Sequence, residues 1–336
     1  MSSTTTDTIV LDAETPYNGN PTVASGLIVG CCSGRFHNMV LDINMDNGSD
    51  SDMRGLMILN AEVELCGSVK RCAKTSGTAS TAYRYMASNE GRDGAGVHLY
   101  YASIKGNMDV FNNYTDTGNG GGIFGLNCHF EFGDIFNNSA TDQGGGICAK
   151  SSVVQLASSG RVRNVYNNSV TSVGFGGGIY VDYAYATVMG NIRNNSVGNG
   201  YGGGLCVGHG GVAVQGDLTY NHGGYGGGFA VMSGGAVYVN GEVRYNDGAQ
   251  GGGFYINGYS IAHVGIITDN ISTTGGGAFY LASSCVVLFA YVNNNSSSSG
   301  YDVDGSSGNS VLTGVVSATD TLNPAFSVNT NLLKLT

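Results

Sequence analysis

The chain has 336 residues, of which 57 are Gly, 3 are Pro and none is Trp. Charged residues make up 11% and the net charge is −10, which excludes a nucleic-acid binder working through a basic stripe. No apolar run approaches the roughly 18 residues of a membrane-spanning helix, and residues 1–7 lack the basic-then-apolar pattern of a secretory leader.

In chain order, residues 1–25 are polar and rich in Ser and Thr, and read as an N-terminal arm. Residues 26–90 contain the apolar runs Leu27-Ile28-Val29, Met39-Val40-Leu41 and Leu56-Met57-Ile58-Leu59, which predict irregular first coils or a cap. Residues 91–305 form a regular array. Gly-Gly-Gly begins at Gly120, Gly144, Gly176, Gly202, Gly226, Gly251 and Gly275, at intervals of 24, 32, 26, 24, 25 and 24 residues, with a weaker copy at Gly94-Ala95-Gly96. Roughly 18–20 residues after most triplets comes an apolar residue, two variable positions and Asn. These motifs end in Asn113, Asn138, Asn168, Asn195, Asn221, Asn246, Asn270 and Asn295. The extra residues of the long interval are expected in a loop near 156–163.

Short alternating runs such as Ala236-Val237-Tyr238-Val239 lie between these marks and signal strands, and no segment reads as helix. Three short strands per repeat of ~24 residues make one coil of a single-stranded, right-handed parallel β-helix of roughly 9–12 coils. Such coils stack ~4.8 Å apart. Residues 306–336 break the period and read as a C-terminal cap or tail, which an open solenoid end requires.

The glycines suit tight corners. The asparagines suit structural turns, where Asn tolerates left-handed backbone and its amide can bond to the next coil. No Lys-Ser/Thr follows a triplet, so these are not phosphate loops. The eight cysteines, Cys31, Cys32, Cys66, Cys72, Cys128, Cys148, Cys206 and Cys285, include no Cys-x-x-Cys pair. No metal site and no cofactor is implied. Most cysteines read as small apolar residues of the stack, and Cys66 with Cys72 is the nearest candidate disulfide.

The Gly-Gly-small/apolar turn followed by Φ-x-x-Asn resembles the repeat of the chlamydial polymorphic outer membrane proteins, over residues 91–305. Gly300-Tyr301-Asp302-Val303 is similar to the element that closes such arrays. Here Gly stands in place of the triplet's Ala, the first Phe of the second motif is usually Val, Ile or Leu, and no membrane barrel follows. The resemblance implies a passenger-like β-helix used for adhesion, display or assembly, without the autotransporter barrel.

Strand alternation sorts the residues after each triplet. The first and third positions, such as Ile179 and Val181, are assigned to the interior, with Ala278 and Tyr280 taking these places in the last repeat. The intervening row then points outward and includes Phe124, Tyr180, Tyr255 and Phe279. Phe175, Tyr201 and Tyr225, just before their triplets, form a second row. Together these seven predict an exposed aromatic flank, which suits protein contact. A terminal segment folding over the flank and a glycan stacking on it are the other readings.

For catalysis, Gly208-His209-Gly210 matches a short motif of the pectin-hydrolysing β-helix enzymes, but their Asn-Thr-Asp, Asp-Asp and Arg-x-Lys motifs do not occur here. Glycoside hydrolysis needs two carboxylates, and Asp182 and Asp217 are the candidates near His209. Asp302 and Asp304 are candidates for a cation at a turn, against a solvated turn. Asn113, Asn137, Asn167, Asn194 and Asn270 begin glycosylation sequons, preferred here as bare turn residues. No regular Thr-x-Thr ladder points to ice binding. The reading is a non-catalytic structural or adhesive protein of a cell surface, appendage or virion. Its partner is a second copy or another surface protein, with a glycan as a further partner. The alternative is a β-helix that binds or cleaves polysaccharide, as a hydrolase or lyase of tailspike or pectinase-like architecture.

Overall fold

The structure, a computed structural model, describes residues 93–329 except 107–108, 117, 152–157 and 307–309. Of the preceding part it describes the strands Asp7–Ala13, Leu27–Gly30, Met39–Asp46, Leu56–Leu59, Glu62–Lys70 and Ala73–Lys74. Among the described residues there is no helix, and the sheets hold 18, 9 and 11 strands. Each strand pairs in parallel with one about a coil away, so the chain is a parallel β-solenoid.

Each regular coil begins where glycine turns the chain. Gly94, Gly120, Gly144, Gly176, Gly202, Gly226, Gly251 and Gly276 have φ between 60° and 74°, in the left-handed region. The other triplet positions are glycine because the next coil lies against them. A Cβ on Gly122 would stand 2.7 Å from Gly146 O and 2.9 Å from Asn138 Nδ2. One triplet therefore serves one dihedral requirement and two close approaches.

The first face follows directly, with Ile123, Ile147, Ile179, Leu205, Phe229, Phe254 and Phe279 in register. The second face is two short strands per coil, as in Ala184–Val188 and Ile192–Arg193, and single longer strands in later coils, as in Ala236–Arg244. The third face is made of short strands such as Ser139–Ala140 and Ser169–Val170. The interior is apolar and layered. Phe229, Phe254 and Phe279 stack with centroids 4.5 and 4.7 Å apart. Elsewhere a large ring fills the space a neighbouring coil leaves by having glycine: a Cβ on Gly160 would collide with Phe130, and one on Gly314 with Phe289.

Three local readings change. Ser158–Val162 is a strand paired with His129–Glu131 and Ala184–Val188, not a loop, while 152–157 lie outside the described residues. Within residues 1–25, Asp7–Ala13 is a strand parallel to Met39–Asp46. In the last repeat the left-handed glycine is Gly276, not Gly275, because the pairing of Asp247–Gln250 with Ile271–Gly275 shifts by one residue. A one-residue slip exchanges the two faces of a strand. Phe279 and Leu281 therefore point inward and Tyr280 pairs with Tyr255 on the outer row.

The last coils are tied together by side chains. Val311–Val316 continues the second face and Val328–Asn329 pairs onto it. The buried Asp302 accepts from Thr321 N at 3.0 Å and Thr321 Oγ1 at 3.1 Å, and Asp304 Oδ1 accepts from Asn323 Nδ2 at 2.7 Å. Burial pushes the Asp302 carboxyl up, against the lowering effect of its bonds to Thr321. These carboxylates join two turns through Thr321 and Asn323.

Candidate functional site

The Φ-x-x-Asn motif divides its work between two adjacent residues. The residue before the conserved-spacing Asn takes the left-handed turn: Asn112, Asn137, Asn167 and Asn194 have φ of 54–57° and are exposed. Asn113, Asn138, Asn168, Asn195, Asn221, Asn246 and Asn270 are buried instead and form a ladder along the solenoid. Each Nδ2 donates to Oδ1 of the next coil at 2.9–3.0 Å, as Asn138 does to Asn168. Asn295 ends the run by donating to Asp320 Oδ1 at 2.9 Å. The turn role therefore moves one residue back, because Oδ1 must point along the stack to receive the neighbour's donors. The sequons at Asn113 and Asn270 are buried, whereas those at Asn137, Asn167 and Asn194 are exposed.

The predicted aromatic flank is largely a second core. Phe124, Tyr180 and Tyr255 are buried with Cys148, Cys206 and Ala230 on the outer side of the first face, and Phe279 is wholly interior. The cover comes from the same coils. Gln143, Phe175, Tyr201 and Tyr225 are bridged residue to residue just before the left-handed glycines. The half-buried rings of Phe175, Tyr201 and Tyr225 fold over the row, with Tyr225 edge-on to Tyr255 at 5.3 Å and Phe175 5.5 Å from Tyr180. With both faces apolar, the first-face strands read as continuous hydrophobic runs. Burial pushes the Tyr255 phenol and the Cys148 thiol each up to about 12, and raises Tyr180 and Cys206 as well. Cys128 and Cys285 are also buried. Cys31, Cys32 and Cys72 lie outside the described residues, as does the side chain of Cys66, and the proposed Cys66–Cys72 pair with them.

His209 and Asp182 do meet. His209 Nδ1 lies 2.8 Å from Asp182 Oδ1, and the ring stacks on Tyr183 at 4.1 Å. Asp217 does not join them, since the strand Gly210–Val214 carries the chain away to the next corner. There Asp217 Oδ2 faces Arg244 Nη2 at 3.5 Å. The second carboxylate of a hydrolytic pair is therefore not supplied by Asp217. Among the described residues no group of three His, Cys, Asp or Glu side chains is placed to hold a metal ion.

Two surface features were not anticipated from the sequence. The first is a second ladder at the corner within the second face. Asp109, Asp134, Asn164, Asn191 and Asp217 each accept the backbone N–H of the equivalent residue one coil on, at 2.7–3.2 Å. Its sequence signal is an Asp or Asn immediately before the Φ of Φ-x-x-Asn. Burial alone would raise the Asp134 carboxyl, but hydrogen bonds from Arg163 and Asn164 and the Arg163 charge outweigh it and hold it low. Where the ladder ends, Asp217, Asn240, Gly241, Glu242, Arg244, Gly265 and Ile266 line an open cleft of about 390 Å³.

The second feature is an apolar outer surface on the last coils of the second face. Ala236, Ile261, Val286 and Val311 form one register-matched row, and Ile266, Tyr291 and Val315 another. Ile261, Val311, Tyr291 and Val315 are exposed, Val311 at 54%. No family model matches the chain, and no curated protein or solved structure matches it either.

Proposed function

We propose that the protein is a non-catalytic structural or adhesive rod of a cell surface, appendage or virion. In this reading it associates with a second copy or with another surface protein. The observation that carries the reading is the exposed apolar surface of the last coils. A solenoid stacks such residues in register one coil apart, and exposed apolar rows of this kind suit contact with another protein. The contact moves accordingly from the buried row of Phe124, Tyr180, Tyr255 and Phe279 to the row of Ile261 and Val311. Phe175, Tyr201 and Tyr225 serve mainly as its own cover.

Light scattering across a concentration series tests this. The expected result is a discrete oligomer or a mass that grows with concentration, reverting toward monomer in the Ile261→Thr, Val311→Thr double variant. Threonine keeps the β-branched shape that strands favour, so the fold survives. A strict monomer at all concentrations, or an unchanged oligomer in the variant, overturns the self-association form of the reading.

A second reading, polysaccharide binding, is favoured by one observation. The cleft at Asp217, Glu242 and Arg244 adjoins two exposed, stacked tyrosines, Tyr220 and Tyr245.

A further inference from the structure

The position before each ladder residue has φ of 54–58° in eight successive coils. Six of them carry Asn or Asp: Asn112, Asn137, Asn167, Asn194, Asp269 and Asn294. Two consecutive coils carry Tyr220 and Tyr245 instead. A bulky aromatic in the left-handed region is an outlier, whereas Asn and Asp are at home there. Folding does not require the change, since Asn serves the same corner in the neighbouring coils.

What the change provides is a platform. The Tyr220 and Tyr245 rings lie 5.1 Å apart and within 16° of parallel, and both are exposed. Arg244 connects this platform to the cleft. Its guanidinium carbon sits 5.7 Å from the centre of the Tyr245 ring. Nε lies 3.3 Å from Glu242 Oε2, and Nη2 lies 3.5 Å from Asp217 Oδ2. The side chains of Asp217, Glu242 and Arg244 are each about one-third exposed, so they keep hydrogen-bonding capacity toward solvent.

We propose that the Tyr220–Tyr245 platform and the adjoining cleft form a binding site for a segment of a neutral polysaccharide. Because the two rings stack on each other, what they offer a ligand is their exposed edges and outer sides, against which the apolar C–H face of a pyranose packs while its hydroxyls meet fixed acceptors and donors. The carboxylates supply acceptors and the guanidinium supplies donors. Two carboxylates against one guanidinium, in a chain of net charge −10, disfavour a polyuronate or sulfated glycan. The Phe111, Phe136, Tyr166 and Arg193 stack, with spacings of 4.6, 4.8 and 4.7 Å, occupies the row one residue before the tyrosines, and that row runs on through Thr219 to Arg244. A chain-like ligand thus has surface to follow beyond one sugar. This inference deepens the polysaccharide-binding reading and is independent of self-association through Ile261 and Val311.

Native affinity electrophoresis of the full chain tests it, in gels containing mannan, soluble starch or galactan, with polygalacturonate as the acidic comparison. The expected result is retardation in at least one neutral gel, weakened roughly tenfold or more in the Tyr220→Asn, Tyr245→Asn double variant. That variant restores the residue that adjacent coils use, and its thermal melt confirms the fold. Retardation in no neutral gel, retardation by polygalacturonate alone, or equal retardation of the variant overturns the proposal. So does a change in oligomeric mass of the double variant, which would assign the rings to contact between copies.

Discussion

The side-chain amide of Asn195 donates to Oδ1 of Asn221 at 3.0 Å, and the Asn195 backbone amide donates to the same oxygen at 3.0 Å. Asn195 Nδ2 also reaches Val165 O on the preceding coil at 3.0 Å. One side chain therefore links three coils, and the ladder repeats this at every step. Its terminator is chemically apt. Asp320 only accepts, taking both Asn295 donors on Oδ1 and the hydroxyls of Ser317 and Thr319 on Oδ2. The ladder therefore closes on an acceptor.

Replacing Asn195 with Leu removes these bonds and leaves the buried donors of Asn168 without their acceptor. The expected cost is about 3–5 kcal/mol, from several orphaned polar groups of about 1–3 kcal/mol each. Asn194→Gly, one residue earlier, changes only an exposed left-handed position and is expected to stay within about 0.5 kcal/mol. Urea midpoints of the two variants check the division of labour. Comparable losses would overturn it.

Tyr259 has φ of 58° and is 82% exposed. Its conformational cost is set against little packing, unlike that of Tyr220 and Tyr245. Tyr259→Asn is expected to raise stability by up to about 1 kcal/mol, since L-residues other than Asn, Asp and Gly resist the left-handed region. A rise in melting temperature supports this. A fall would mean the ring makes a stabilising contact.

The architecture was legible because a solenoid writes its period into the chain. Each regular coil has one left-handed glycine, in most coils two more glycines beneath the next backbone, and one buried amide, so spacing alone places most of the array. What failed was finer. Alternation directs the row of Tyr180 and Tyr255 away from the main core, yet it cannot tell whether a second layer covers that face. The cover, Phe175, Tyr201 and Tyr225, was visible as a run but not as a lid. Phe279 was misplaced because a one-residue shift in the preceding strand moved the turn from Gly275 to Gly276. The cleft was invisible because Asp217 and Glu242 are ordinary corner residues until Arg244 and the two tyrosines are brought beside them.

Cys148 and Cys206 flank Tyr180 in the second core, and both are fully buried. Burial keeps their thiols protonated, Cys148 up to about 12, and the thiolate is the reactive form. Neither is expected to react with iodoacetamide in the folded protein near neutral pH, whereas both are expected to react fully in urea. Peptide mass spectrometry reads this directly. Rapid native labelling of either residue would mean that the aromatic cover opens readily.

His222 Nδ1 lies 2.9 Å from Asp247 Oδ1 on the third face. Hydrogen bonding to Asp247 raises the His222 pKa above its ordinary 6.5, outweighing the burial that lowers it. A raised folded-state value means that the protonated imidazole is favoured by folding. The stabilisation is therefore complete below the ordinary value and disappears as pH rises through the folded one. Both side chains are more than half exposed, so solvent screening limits the contribution to a few tenths of a kcal/mol. Melting temperatures at about pH 5.5 and pH 8.5 should show wild type losing a small advantage over His222→Gln on going to the higher pH. A gap that widens instead would reverse the assigned direction of the shift.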